Sequence, residues 1–183
     1  MSVLDYRENE AFSDYERRVV SMFMEEYCHG EDFRFLEDVD IDGVDMRWYS
    51  DRSEKVLGGF YYFQGNRIYL NREYARSCDT GTWAGRMNRV CLMFPVIIHE
   101  LCHYWQSRHY GLLYLLLQIP VIREFTIETQ AYRIQNVLYD CRELNGGSLA
   151  YFAKLKRRHG FEQRYFDEIE LKMLEKEDLK SNS

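Results

Sequence analysis

Apolar residues recur along this chain with a helical step, switch to strict alternation, and then return to the helical step. Over residues 9–28, Phe12, Tyr15, Val19, Met22, Phe23 and Tyr27 fall three and four positions apart, the pattern of one helix face, with His29-Gly30 as a stop. From Val44 the period is two. Met46 and Trp48, then Val56 to Phe63, then Arg67 to Asn71 read as three strands of a small antiparallel sheet, with Gln64-Gly65-Asn66 turning a hairpin between the last two. The helical period resumes near Arg86 and continues to Tyr110, with Pro95 favoured as the true helix start and Gly111 as its end. The apolar run LLYLLLQIP, residues 112–120, is expected to pack inside. A helix from Val121 to Leu144 follows, then one capped by Ser148 that runs to Arg158, and a charged one from Glu162 to Lys176. There are no internal repeats and no low-complexity linkers. The order predicts one α+β domain over residues 1–183, with a small sheet ahead of a central helix and a helical C-terminal half.

That central helix carries the chemistry. Val96-Ile97-Ile98-His99-Glu100-Leu101-Cys102-His103 contains H-E-x-x-H, entered from the apolar run Phe94 to Ile98. Residues four apart share a helix face, so His99 and His103 can direct one ring nitrogen each at a common point. Such a pair suits a tetrahedral zinc ion. Glu100, one residue round the helix, can reach a water near that point without being a ligand, the position of a general base.

A catalytic zinc takes three protein ligands. Glu128, in Ile127-Glu128-Thr129-Gln130-Ala131, fits best: it lies on the following helix, and the small Ala131 one turn on lets two helices approach closely. Glu124 and His109 compete with it. His109 would be a ligand only if the chain turned sharply at Gln106, and Gln-Ser-Arg continue a helix comfortably. On an unbroken helix His109 lies about 80° from His99.

Composition narrows the reading. A net charge of -6 argues against a nucleic-acid binder, which would show a basic footprint. The N-terminus has no basic segment followed by an apolar one, and the longest apolar stretch is far too short to span a bilayer, so no membrane partner is expected and the cytoplasm is the expected location. Five scattered cysteines (28, 78, 91, 102, 141) with no C-x-x-C pair point to reduced thiols, Cys102 being a small core residue. Asp38-Val39-Asp40-Ile41-Asp42-Gly43 opens like a calcium loop, but the position that needs a glutamate is Tyr49 or Ser50, so it reads as a turn.

In His99, Glu100, His103 and the downstream Glu128-Thr129-Gln130-Ala131, the chain resembles the small gluzincin-like zincin metallopeptidases, in which H-E-x-x-H is followed by a ligand glutamate in an E-x-x-A setting. The hairpin ahead of the helix and His103-Tyr104-Trp105-Gln106 are also similar to compact phage and bacterial zincins, over residues 56–136. The resemblance implies a zincin-like fold, zinc on His99, His103 and Glu128, Glu100 as general base, and a peptide or protein substrate lying along the edge strand Arg67–Leu70. Tyr132, Tyr110 and His109 are the candidates for an oxyanion partner. Relatives often place an aspartate after E-x-x-A to bond a ligand histidine; here that residue is Tyr132. Two other readings stand beside this one: a zincin-like binding or structural module without activity, as in phage assembly or host interaction, and a helical interaction protein without metal.

Overall fold

The computed structural model describes residues 9–50, 58–78 and 83–139. The helices expected at 148–158 and 162–176, and the Val56-Leu57 start of the second strand, lie outside the described residues. The architecture is mixed α+β: a four-stranded sheet with helices packed around one long helix.

After a short strand β1 (Glu10–Ala11), the first helix α1 spans Asp14–Tyr27, five residues inside the expected start. Ser13 sets that boundary. Its hydroxyl accepts from the Glu16 N–H, while Glu16 Oε2 accepts from the Ser13 N–H at 2.9 Å, closing a reciprocal cap. Glu16 is itself buried, because its other oxygen accepts the indole N–H of Trp48 at 2.9 Å. One carboxylate therefore caps α1 and satisfies the largest side chain of the core. A 3-10 segment, Glu31–Asp38, leads to the aspartate-rich turn, where Gly43 N–H donates to Asp40 C=O as expected of a turn.

The sheet contains β2 (Asp45–Tyr49), β3 (Gly59–Tyr62) and β4 (Arg67–Asn71) in the order β1-β2-β4-β3. The β3–β4 hairpin is antiparallel, and Asn66 takes the left-handed conformation (φ 52°) at its turn. Two expectations are corrected here. The sheet is mixed, because β2 pairs with β4 in parallel; Asp45 ties the start of that pair by accepting from Arg67 Nε at 2.6 Å and Arg47 Nε at 2.9 Å. As a result β4 is central, with Ile68, Tyr69 and Leu70 all buried, and among the described residues the edge beside the helices is β3. Alternation says which face of a strand is covered, not which neighbour it takes.

The long helix α2 runs Trp83–Tyr110, so Pro95 lies inside it and does not start it. An internal proline costs about 3 kcal/mol. Val90, Met93, Phe94, Ile97 and Ile98, on both sides of it, are fully buried, each contributing roughly 1.5–3 kcal/mol. Burial wins, and the helix continues. Three short helices follow: α3 (Leu113–Leu117), α4 (Pro120–Phe125) and α5 (Ile127–Tyr139). The expected interior packing of residues 112–120 does not occur. Only Tyr114 is buried, through ring contacts with Tyr61 and Phe63, and Leu112, Leu113, Leu115, Leu116 and Ile119 are exposed. A five-residue helix anchored by one tyrosine cannot bury both its faces. The single helix expected over 121–144 is instead broken at Thr126 (φ -121°, ψ -85°).

Glu16→Ala removes the reciprocal half of the cap, the acceptor of the Ser13 N–H, together with the acceptor of the buried Trp48 N–H. It is expected to destabilise the fold by about 2–4 kcal/mol, read as a lower urea midpoint with unchanged slope.

Candidate metal centre

Between Val90 and Ser107, α2 is covered on nearly every side, so the polar residues of that stretch sit inside protein. His99, Glu100, His103, Gln106 and Ser107 are all buried. On this helix the four-residue step turns both imidazoles toward α5, which packs against α2 with the fully buried Ala131 between them. The close approach brings in Glu128.

His99 Nε2 and His103 Nε2 lie 3.1 Å apart, and Glu128 Oε2 is 3.4 Å from each. Ligands at 2.0–2.1 Å from a tetrahedral ion are separated by about 3.3 Å. The three atoms thus form a triangle of the size that one face of such a coordination shell requires, and the cluster could hold a metal ion.

The protonation of His103 follows from its neighbours. Gln106 Nε2 donates to Ile127 C=O at 3.1 Å and to Gln130 Oε1 at 2.9 Å, which fixes the amide with its oxygen toward His103. That oxygen lies 2.9 Å from His103 Nδ1, so Nδ1 carries a proton and Nε2 is the ring nitrogen that faces the triangle. His99 Nδ1, in contrast, has no hydrogen-bond partner among the described residues; the ring of Tyr132 packs against His99 at 4.8 Å and 65° in its place.

The two carboxylates are treated differently by their surroundings. Burial raises the pKa of Glu100, and the nearby histidines and a hydrogen bond from the Tyr61 backbone N–H only partly offset it. For Glu128, burial also opposes ionisation, but hydrogen bonds from His103, His99 and Arg123 outweigh it and hold the carboxyl far below its usual range. Both open onto a cavity of about 410 Å³ bordered by Gly59, Tyr61, Tyr114 and Tyr132. Gly59 is required there: a Cβ would come within 2.9 Å of Leu70 Cδ2, 3.0 Å of Tyr69 C=O and 3.1 Å of Val96, so any side chain would push β3 away from α2.

Of the residues singled out from sequence, the structure groups His99, Glu100, His103 and Glu128 in one place. It leaves out the two competing ligands: Glu124 is exposed, and His109 lies at the surface, stacked on Trp105 at 4.6 Å. Gln106 continues α2 with no turn. Tyr110 is exposed beside Trp105 and His109, so of the three oxyanion candidates only Tyr132 borders the cavity. Cys102 is a buried core residue, its thiol pushed up to about 12 by burial. Sequence reasoning missed the roles of Gln106, Tyr114 and Arg123. Gln106 had a signal: it lies three positions after His103, on the same helix face as that histidine. No protein-family model, curated protein or solved structure matches this chain.

Replacing Gln106 by Leu frees the His103 ring and is expected to weaken metal binding roughly 10–100-fold. Titration against a chromophoric chelator measures this directly, and unchanged affinity would remove Gln106 from the site.

Proposed function

We propose that this protein is a zinc-dependent metallopeptidase with a zincin-like active site, acting on extended polypeptide segments. The observation that carries the reading is the buried triangle of two Nε2 atoms and one carboxylate oxygen with a second carboxylate, Glu100, in the same cavity. Two imidazoles and a carboxylate, with room for a further group, are the donor set of catalytic zinc, whereas a structural site closes with four protein ligands. Zinc in such a site polarises a carbonyl and makes water acidic enough to ionise near neutral pH.

The remaining work falls to the chain's own residues. Glu100 takes a proton from water and returns it to the leaving amine, which suits a carboxyl whose pKa is raised by burial. The Tyr61 N–H fixes the orientation of that carboxylate. Edge strand β3 offers the surface for a peptide. Asn71 N–H donates to Gly58 C=O at 2.8 Å, so the positions bonded to β4 are Gly58, Phe60 and Tyr62, while the main-chain groups of Gly59 and Tyr61 face the other way. Both residues border the cavity, so an extended peptide adding to this edge would run past Glu100. Tyr132 stands across the cavity as a donor toward developing oxyanion charge.

The experiment is metal analysis of the purified protein with hydrolysis of a denatured protein substrate. About one zinc per chain is expected, lost in Glu128→Ala and retained in His109→Ala. Glu100→Gln is expected to retain zinc and lose at least about 100-fold in turnover. A wild type without zinc after reconstitution would sink the reading. Stoichiometric zinc with no hydrolysis would favour a binding module built on the same centre, although a purely structural site has no use for Glu100.

A further inference from the structure

We propose that Arg123 is the positioning residue of the metal centre: it holds Oε1 of Glu128, so that Oε2 alone is presented to the histidine nitrogens. The inference rests on the reading of that cluster as a metal site. Arginine usually meets a carboxylate as a fork, one nitrogen on each oxygen. Here both donors go to the same atom. Arg123 Nε donates to Glu128 Oε1 at 2.6 Å, and the NH2 group of the same guanidinium pairs with that oxygen too. The other oxygen, Oε2, is the one that faces His99 and His103. The carboxylate is thereby divided into an oxygen for the protein and an oxygen for the site.

This contact depends on the break between α4 and α5. Residues five apart on a continuous α-helix point about 140° away from each other, so Arg123 could not reach Glu128 along an unbroken helix. The interruption at Thr126 brings them together, and two hydroxyls stabilise it: Thr126 Oγ1 donates to Ile122 C=O at 2.6 Å and Thr129 Oγ1 to Glu124 C=O at 2.7 Å. An ion pair serving only to stabilise the surface would need no such division of oxygens. The Glu128 side chain is 10% exposed and that of Arg123 49%, so the guanidinium reaches inward from the cavity rim to a buried acceptor.

A carboxylate released from Arg123 can turn its second oxygen toward a metal and become a two-atom donor. The test uses cobalt(II) in place of zinc, since its visible absorption is strong in tetrahedral sites and weakens as the coordination number rises. At saturating cobalt, Arg123→Ala is expected to lose roughly two-thirds of the wild-type absorbance, while Arg123→Lys, which keeps one cationic donor, stays close to wild type. Arg123→Gln, neutral and of similar length, is expected to fall between them and covers the case of an alanine variant that does not fold. Superimposable spectra of wild type, alanine and glutamine variants would overturn the proposal, because Glu128 would then orient without Arg123. A wild type that takes up no cobalt would remove the metal centre itself, so the two failures are told apart.

Discussion

The stretch of α2 between Val90 and Ser107 is buried on almost every side, and the rest of this fold is arranged to wrap it. The sheet supplies one cover through β3 and β4, α1 a second, and α5 a third. Two local features let the covers come close: Gly59, where no Cβ fits between β3 and α2, and Ala131, buried between α5 and α2. The depth of burial keeps α2 continuous through Pro95. It also makes every polar atom on that helix costly unless partnered, at about 1–3 kcal/mol for each unsatisfied group.

The polar residues of α2 meet that demand along a connected path. His103 is bonded by Gln106, Gln106 by Ile127 and Gln130 on α5, and Glu128 on the same helix turns back to the two histidines and to Arg123. A buried network of this kind is stabilising only when each member is satisfied. On this path, among the described residues, His99 Nδ1 is without a hydrogen-bond partner. Two imidazole nitrogens and a carboxylate oxygen converge within 3.1–3.4 Å, an arrangement that a shared proton or a cation holds together.

How much of this was legible in the sequence depended on the range of the interaction concerned. The H-E-x-x-H spacing fixed the histidine face because four residues always return to the same side of a helix, and the apolar run before it announced a buried helix. Glu128 was legible because it lies among apolar residues and precedes Ala131. The hairpin was legible through Gly65-Asn66. The parallel pairing of β2 with β4 was not, since alternation carries no information about strand direction, and it moved the edge from β4 to β3. Residues 112–120 misled because nine mostly apolar residues read as interior, whereas the chain buries only Tyr114 among them and Leu112 is 85% exposed. The break at Thr126 was hidden as well: threonine is a tolerable helix residue, and only the hydroxyl bonds to Ile122 and Glu124 show why the helix parts there.

The two carboxylates also differ in character. Glu128 has two imidazoles and then Arg123 to offset its burial, whereas the desolvation of Glu100 is only partly offset. Two like groups in one dry cavity raise each other's pKa and need not differ in role. The imidazoles of His103 and His99, and after them the Arg123 guanidinium, draw Glu128 toward the ionised form, and the charge of Glu128 in turn adds to the burial that raises Glu100. Pairs of titratable groups driven apart in this way commonly divide into a fixed charge and a proton carrier. Here the division coincides with position, since the ionised carboxylate is the one inside the donor triangle and the raised one stands outside it beside the open edge of β3. The packing of α5 against α2, which sets Glu128 against the two histidines, thus separates the carboxylate held ionised from the one whose pKa is raised.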